Sequence, residues 1–355
     1  MTERAGRANV VGLGLVGGSV ATGLRARGWH VTGTDLDPAR GADAVHRGAI
    51  DDIGLRPDAD LTVVATPVAA VVAAVKEALA STTGWVTDVG SVKAGIAGEV
   101  ADARFVPGHP MAGSEQHGLD GADGDMFEGA IWVLTPTAET SDAAFAAVAH
   151  VVSALGSEVV VLPPERHDAL VAVVSHVPHL MAATMMALAD ERADEHVALL
   201  RLAAGGFRDM TRVASGHPAI WPDICAENRD AILDALDGLV RGLGETRAMV
   251  AGGDRDGLLA RLEQARMARQ NLPSRVATGV SLAEVRVPVP DRPGAAAEVF
   301  GLAADLGVNV SDFEVVHSSE GDKGVLILVI EAAHADYFRG GLRARGFRPG
   351  VRLLD

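Results

Sequence analysis

Asn9-Val10-Val11-Gly12-Leu13-Gly14-Leu15-Val16-Gly17-Gly18-Ser19-Val20 is the stretch of sequence that decides the fold. A short apolar run leads into Gly-x-Gly-x-x-Gly, and a helical pattern follows that ends at Gly28. A second apolar run, from Trp29 to Thr34, ends at Asp35, which follows Gly17 by 18 residues. A strand, a glycine turn, a helix and a second strand with an acid at this spacing are typical of a dinucleotide-binding βαβ unit.

The three motif glycines have separate physical roles. Gly12 permits the tight turn, Gly14 lets the backbone approach a pyrophosphate, and Gly17 lets the helix pack closely on the strand. Asp35 is placed to bind both ribose hydroxyls, and its charge would repel a 2′-phosphate, so the pattern favours NAD over NADP. The helix start supplies amide N–H groups to the phosphates. The predicted cofactor contacts of the turn are therefore Gly12, Leu13, Gly14, Leu15, Val16 and Gly17.

Further apolar runs alternate with helical patterns as far as residue 162. The predicted strands are Leu61–Ala65, Trp85–Val89, Phe105–Pro107, Ile131–Leu134 and Val159–Val161. Open α/β sheets bind ligands at the carboxyl ends of their strands. Because Thr66, Pro67 and Val89 occupy such ends, we add them to the cofactor contacts. Residues 1–162 are thus predicted to form a Rossmann domain of the α/β class.

Residues 163–281 are predicted to form an all-α domain. The 21 residues between Asp168 and Asp190 contain no Asp, Glu, Lys or Arg. Acidic residues flank this segment, whereas a membrane span would carry basic flanks on one side. We therefore predict a buried helix and no membrane contact, with a kink at Pro178, which lacks a backbone donor. A helix that is apolar all round must be buried, so a second copy of the chain, in a homodimer, is its expected partner.

The sequence pattern changes at residue 282, and residues 282–355 are predicted to form strand, helix, two strands, helix and strand. This βαββαβ order is that of a ferredoxin-like unit. Its turn at Asp291 and Gly294 meets a predicted helix N-terminus, which suits an amino-acid carboxylate, and Asn309 stands at the start of the next strand. These three residues are the predicted effector contacts. The alternative is a purely structural module that forms dimers.

Composition excludes several classes of protein. The 355 residues carry 31 Lys and Arg against 47 Asp and Glu, and the net charge of −16 argues against a nucleic-acid surface. An apolar fraction of 48% excludes intrinsic disorder. The single cysteine, Cys225, allows no internal disulfide and no cysteine zinc cluster. With no signal-peptide pattern at the N-terminus, a cytoplasmic protein is expected.

Four stretches together resemble the prephenate/arogenate dehydrogenase family of tyrosine biosynthesis. They are Asp88-Val89-Gly90-Ser91-Val92-Lys93, Gly108-His109-Pro110-Met111-Ala112-Gly113-Ser114-Glu115, Val174-Ser175-His176-Val177-Pro178-His179, and Gly205-Gly206-Phe207-Arg208-Asp209-Met210-Thr211-Arg212 with Trp221 after it. The resemblance runs from about residue 8 to about residue 275. The C-terminal unit separately resembles an ACT domain, a regulatory module that binds small molecules.

The resemblance implies a specific reaction. Hydride leaves the ring carbinol carbon of prephenate for NAD+, the ring carboxylate departs as CO2, and 4-hydroxyphenylpyruvate is formed. His109 matches the catalytic histidine of the family, and a neutral imidazole can accept the carbinol proton. Ser91 would bridge the substrate hydroxyl, His109 and the nicotinamide. Tyrosine would be the effector of the ACT-like unit.

The resemblance also implies a substrate pocket. Arg212 matches the residue that binds a substrate carboxylate, and its planar fork suits bidentate contact; which of the two carboxylates it holds stays open. The other matching positions are His179, Ser114, Glu115, Asp209 and Trp221. Asp209 could orient Arg212, Glu115 could gate the site, and Trp221 could reach across the dimer. No metal site is predicted, because His176 and His179 have no acidic or cysteine partner at ligand spacing.

Three other functions remain open. An arogenate dehydrogenase acts on a substrate that differs only in its side chain. A β-hydroxyacid or imine-reducing dehydrogenase needs a catalytic lysine on the first helix of the helical domain. The only lysines are Lys76, Lys93 and Lys323, which counts against this class. A protein that senses NAD or an amino acid would not need His109, Ser91 and Arg212 together.

Overall fold

The computed structural model describes residues 6–113, 116–193, 203, 205–270, 281–290, 292–317 and 323–354. The chain divides into two compact units, Met1–Gly244 and Glu245–Asp355. The first unit contains the parallel sheet together with the helical segments that follow it as far as Gly244. The predicted domain boundaries at residues 162 and 281 stay predictions.

The first unit is built on a six-stranded parallel sheet of order β3-β2-β1-β4-β5-β6. Its strands are β1 (Arg7–Val11), β2 (His30–Thr34), β3 (Asp52–Ile53), β4 (Leu61–Val64), β5 (Trp85–Asp88) and β6 (Phe105–Val106). The connecting helices are α1 (Leu15–Ala26), α2 (Pro38–His46), α3 (Val68–Ser81) and α4 (Ala94–Glu99). This strand order is that of a Rossmann fold, and the order reverses between β1 and β4, where ligands bind. The predicted Rossmann architecture is confirmed.

Two of the motif glycines hold β1, α1 and β4 close together. Gly12 has φ +94°, and a Cβ added there would lie 2.5 Å from the carbonyl oxygen of Ala65. A Cβ added at Gly17 would lie 1.9 Å from the carbonyl oxygen of Gly12. Any larger residue at either position would push the helix away from the sheet. The sequence pattern and the packing therefore agree on why these two positions are glycine.

A second, three-stranded sheet follows in the same unit. Its order is β7-β8-β9, with β7 (Gly108–Pro110) antiparallel to β8 (Ile131–Leu134) and β8 parallel to β9 (Glu158–Val161). Helix α5 (Asp142–Ala154) is capped by Ser141, whose hydroxyl accepts the N–H of Ala144 at 3.2 Å. The sequence predicts β8, β9 and α5, but not the separation of these strands from the main sheet.

The helical part begins with a long, irregular segment. It comprises α6 (Pro164–Val171), a π-helical turn (Ala172–His176) and α7 (Val177–Ala193). The π turn ends two residues before Pro178, and the predicted kink at Pro178 stays a prediction. Only 28% of the apolar window in Pro164–Arg192 is buried. Within the single chain Val173 and Val174 face outward and are 59% and 65% exposed, so the predicted burial against a second copy of the chain stays a prediction.

Residues 164–192 are also long and apolar enough to cross a membrane, by length and composition alone. A core helix of a soluble protein passes the same test, so this is weak evidence. The remaining helices are α8 (Gly205–Thr211), α9 (Trp221–Glu227), α10 (Arg229–Gly252) and α11 (Arg255–Gln270).

The second unit ends in a small antiparallel sheet covered by two helices. Its elements are β10 (Leu282–Pro290), α12 (Ala295–Asp305), β11 (Val310–His317), β12 (Lys323–Glu331), α13 (Ala332–Ala344) and β13 (Gly350–Leu354). The strand order is β11-β12-β10-β13. Alternate residues of β10, including Val285 and Val287, pack against Val299 and Phe338 of the helices. The predicted ferredoxin-like βαββαβ fold is confirmed.

Candidate active site

A cavity of about 1160 Å³ lies beyond the carboxyl ends of β1, β2 and β4. The predicted cofactor residues that line it are Gly12, Gly14, Leu15, Val16, Asp35, Thr66 and Pro67. Leu13, Gly17 and Val89 are not lining residues, since Leu13 and Gly17 are buried beneath the turn and Val89 packs against the core. Most of the predicted cofactor contacts therefore lie beside the point between β1 and β4 where the strand order reverses.

The start of α1 is open to a ligand. Gly14 is the N-cap of this helix, no side chain caps it, and a Cβ added at Gly14 would meet nothing within 4 Å. The hydroxyl oxygen of Thr66, at the end of β4, is buried without a hydrogen-bond partner among the described residues. Exposed helix N–H groups and an unsatisfied hydroxyl beside a glycine turn fit the pyrophosphate of a dinucleotide.

Asp35 is held rigidly at the end of β2. One carboxylate oxygen accepts the N–H of Leu13 at 2.8 Å, and the other accepts the N–H of Asp37 at 2.9 Å. Its side chain is only 9% exposed, and a guanidinium nitrogen of Arg40 lies 3.7 Å away. This geometry fixes an acceptor where the adenosine ribose of a dinucleotide would lie.

The same cavity is also lined by His179, Arg212 and Trp221, and we call this part of it the Arg212 end. The imidazole of His179 stacks on the indole of Trp221, with ring centroids 3.7 Å apart and planes 14° apart. Burial lowers the pKa of His179, so its ring is held neutral against the indole. Three residues predicted from different stretches of the chain are thus brought together.

Two histidines that the sequence did not single out as site residues also line this end. His117 and His217 meet edge to face, with ring centroids 4.8 Å apart. His217 accepts the N–H of Ala219 on Nδ1 at 3.2 Å. Their signal in the sequence was weak, because solvent-exposed histidines in loops are common.

Other predicted pocket residues lie elsewhere. Asp209 is exposed on α8, and in the described part of the chain no ion pair joins it to Arg212. The expected orienting contact between these two residues is therefore absent. Ser114 and Glu115 lie outside the described residues.

His109 lies on β7 and is half-buried. Its Nδ1 is 2.8 Å from Nε2 of His167. Burial, and then the neighbouring His167, Lys93 and His176, hold the pKa of His109 well below the ordinary histidine value. Its ring is therefore neutral at physiological pH, as a proton acceptor must be.

Ser91 lies in the loop after β5 and is partly buried. Neither Ser91 nor His109 is among the residues that line the large cavity. The structure therefore brings the cofactor turn and the Arg212 end together in one cavity, and His109 belongs to a polar network with His167, Lys93 and His176.

That network contains buried groups that sequence reasoning missed. Lys93 donates to the carboxylate of Asp88 and, at 2.8 Å, to the carbonyl oxygen of Gly108. Asp88 also accepts the N–H of Gly90 at 2.9 Å and of Gly108 at 3.2 Å. The buried pair ties the end of β5 to the residue before His109. Asp88 and Lys93 stand in one quoted stretch, but nothing in the sequence indicates that both are buried.

In the second unit, Gly294 is the N-cap of α12 with φ +87°, and Asn309 is exposed immediately before β11. Asp291, the third predicted effector residue, lies outside the described residues.

Two family models match the chain. The nucleotide-binding domain of prephenate dehydrogenase matches residues 20–161, and its dimerization domain matches residues 163–264. A prephenate dehydrogenase of Bacillus subtilis is 32% identical over 333 residues, which are 89% of this chain and 90% of the relative. A cyclohexadienyl dehydrogenase of Zymomonas mobilis is 33% identical over 73% of this chain and 94% of the relative.

Solved structures of a prephenate dehydrogenase and an arogenate dehydrogenase have a fold similar to that of this chain. Prephenate dehydrogenase from A. aeolicus, in complex with hydroxyphenyl propionate and NAD+, superposes with a TM-score of 0.72 at 29% identity. The match covers 77% of this chain and 100% of that one. Synechocystis arogenate dehydrogenase gives a TM-score of 0.65 at 30% identity, covering 74% of this chain and 98% of that one.

Proposed function

The chain belongs to the prephenate dehydrogenase family, and we propose that it catalyses the NAD-dependent oxidative decarboxylation of prephenate to 4-hydroxyphenylpyruvate in tyrosine biosynthesis. One observation carries this proposal: the glycine turn with Asp35 and the Arg212 end line a single cavity. A dinucleotide and a carboxylate substrate can therefore meet in it. The Bacillus relative, matched over nearly its whole length, supports the same activity.

The cofactor would lie across the carboxyl edge of the sheet. The N–H groups at the start of α1 bind the pyrophosphate, the hydroxyl of Thr66 donates or accepts beside it, and Asp35 accepts from the ribose hydroxyls. The carboxylate of Asp35 repels a 2′-phosphate, which favours NAD over NADP. When bound, NAD+ supplies the acceptor for the hydride.

The substrate needs a proton acceptor and a carboxylate binder. His109 takes the carbinol proton, which lets the alcohol carbon become a carbonyl-like centre as hydride departs. Ser91 helps hold the substrate hydroxyl toward His109. Arg212 binds a substrate carboxylate through its fork, and His179 and Trp221 form an apolar, neutral wall.

The charge of the substrate side chain distinguishes prephenate from arogenate, and Glu115, the acidic residue predicted in the pocket, lies outside the described residues. Arogenate carries an ammonium group where prephenate carries a keto group, and an ammonium group needs an acceptor. Among the described lining residues from 113–118, 179 and 212–221, none is acidic. The arogenate dehydrogenase alternative keeps the fold and the site and changes only the side-chain contacts.

We place a second copy of the chain on the outer face of the long irregular helix. Val173, Val174 and Leu188 are more than half exposed there, and burying such side chains is favourable. The match to a dimerization domain supports a homodimer. Light scattering on the purified protein tests it, and a monomer at micromolar concentration would refute it.

We further infer that residues 282–355 form a regulatory module whose effector is tyrosine. The uncapped N-terminus of α12 at Gly294, with Asn309 and Asp291 as further contacts, would bind the amino-acid carboxylate and amine. Tyrosine inhibition that Gly294→Asp or Asn309→Ala relieves would support this assignment. Inhibition unchanged in both variants would move the tyrosine site elsewhere. The expectation of a cytoplasmic enzyme stays a prediction.

The proposed activity is tested by following NADH formation by purified protein from NAD+ and prephenate. Formation that depends on prephenate, with 4-hydroxyphenylpyruvate as product, supports the proposal. NAD+ binding with no turnover of prephenate would instead favour a sensor.

A further inference from the structure

Asp168 is a firmly held acid in the neighbourhood of His109. One carboxylate oxygen accepts the N–H of Lys93 at 2.8 Å, and the other accepts the N–H of Ala94 at 2.8 Å. The carbonyl oxygen of the same residue accepts a side-chain N–H of Asn228 at 3.0 Å. The side chain of Asp168 is only 6% exposed. The carboxylate is therefore fixed in orientation and serves as an acceptor.

His167 connects this carboxylate to His109. Its Nδ1 lies 2.7 Å from the carboxylate of Asp168, and its Nε2 lies 2.8 Å from Nδ1 of His109. The His167 side chain is 1% exposed, so water does not compete for either nitrogen. The two imidazoles meet at 76°, an edge-on geometry that suits a hydrogen bond between ring nitrogens.

The positions of the protons follow from these contacts. An ionised carboxylate only accepts hydrogen bonds, so Nδ1 of His167 carries the proton. In a neutral imidazole the other nitrogen is then an acceptor. Nε2 of His167 therefore accepts from Nδ1–H of His109, and Nε2 of His109 is left without a proton.

We propose that Asp168 and His167 act as positioning residues that fix the tautomer of His109, so that Nε2 of His109 is the proton acceptor in the reaction. This inference rests on the proposed function, in which His109 is the base. A carboxylate that orients a catalytic histidine does the same work in the Ser-His-Asp triad; here a second histidine is interposed.

The charges around His109 are consistent with this arrangement. His167 faces it from α6, His176 from the π turn and Lys93 from the loop before α4. The positive charge of Lys93 is compensated by Asp88, with which it is buried. Together with burial, these neighbours lower the pKa of His109 and keep it neutral, ready to accept a proton.

The test compares two substitutions at one position. His167→Leu removes both contacts, whereas His167→Gln retains an amide oxygen that can accept from Nδ1–H of His109. Loss of a hydrogen-bond partner that orients a functional histidine typically lowers activity by about 10–100-fold. We expect His167→Leu to lower kcat by that factor with the KM for prephenate unchanged, and His167→Gln to recover most of the loss. His150→Leu, at an exposed position on α5, is the matched control.

A spectroscopic readout makes the test independent of turnover. In protein labelled with ¹⁵N at histidine, the signals of His109 are assigned by their loss in His109→Asn. Wild-type protein should show Nδ1 protonated and Nε2 unprotonated, and His167→Leu should show a mixture of tautomers. Retained dinucleotide affinity verifies that each variant is folded.

The outcomes separate the two proposals. Three results would each overturn the proposal that Asp168 and His167 fix the tautomer of His109. They are a wild-type kcat in His167→Leu, an equal loss of kcat in His167→Leu and His167→Gln, and a protonated Nε2 of His109 in the wild-type protein. If wild-type protein does not turn over prephenate, the proposed function fails, and the nitrogen signals still decide the tautomer.

Discussion

Lys93 and Asp88 form a completely buried ion pair at the carboxyl end of β5. Both side chains are 0% exposed, and Lys93 also donates to the carbonyl oxygen of Gly108, next to His109. Burial lowers the pKa of Lys93, and Asp88 opposes that shift by favouring the charged form. The pair therefore joins the strand that carries Ser91 in its following loop to the strand that carries His109.

Removing one partner of this pair should destabilise the protein strongly. Lys93→Met leaves Asp88 as an uncompensated buried charge, which typically costs about 3–5 kcal/mol. The free energy of unfolding is measured by urea titration. Lys76→Met is the control, because Lys76 and Glu99 form an exposed pair, which is worth about 1 kcal/mol or less. Equal effects of the two substitutions would contradict the structural role of Lys93.

Stability should fall as the pH drops below neutrality. Burial lowers the pKa of His176 to about 4, against 6.5 for the unperturbed group. The unfolded chain therefore binds a proton that the folded chain does not, so stability decreases as pH falls from 6.5 towards 4. The shift corresponds to about 3 kcal/mol over this window.

His176→Asn keeps an acceptor for the side-chain amide of Asn228 but does not titrate. Urea unfolding at several pH values should give a flatter stability profile for this variant than for wild type. Parallel profiles would mean that His176 is not held neutral by the fold.

Asp35→Asn should weaken dinucleotide binding. The variant loses a charged acceptor for the ribose hydroxyls, and hydrogen bonds to charged groups contribute about 1.5–3 kcal/mol. Calorimetry should show the Kd for NAD+ rising by about 10- to 100-fold and the preference for NAD+ over NADP+ shrinking. Asp142→Asn, at an exposed position on α5, should leave both unchanged. An unaltered Kd in Asp35→Asn would remove Asp35 from the cofactor site.

Arg212→Ala should lower kcat/KM for prephenate by about 10- to 100-fold, because a charged hydrogen bond to a carboxylate is lost. Arg212→Lys should recover only part of this, since an ammonium group lacks the planar fork. Steady-state kinetics measure both. Arg229→Ala, at a side chain that is 70% exposed, serves as the control. Full activity in Arg212→Lys would mean that a single positive charge, without the planar fork, is enough to bind the substrate carboxylate.

The local patterns of this chain predict the fold well. Gly12 and Gly17 stand where backbone contacts exclude a side chain, and periodicity alone finds β1, α1 and β2. The strand β3 has only two residues, both exposed, so no apolar run marks it. The long apolar helix is easily recognised in the sequence, but hydrophobicity alone does not show which surface covers it.

The candidate site is less visible in the sequence. His109 and Arg212 follow from family resemblance, but Asp168 and His167 reach His109 across 58 residues of chain, and no spacing rule connects them. Asp209 shows the opposite error. It stands three residues before Arg212 in a helical pattern, and this spacing suggests a contact between the two side chains. Among the described residues, the fold does not make that contact. Tertiary packing decides both cases.

The most direct test of the account measures NADH formation from NAD+ with prephenate and with arogenate in parallel, in wild-type protein and in His109→Ala. We expect a higher kcat/KM on prephenate in wild type. Loss of a positioned proton acceptor should lower turnover in His109→Ala by about 10²–10⁴-fold, with NAD+ affinity retained. A preference for arogenate, or near-normal turnover in His109→Ala, would contradict the account.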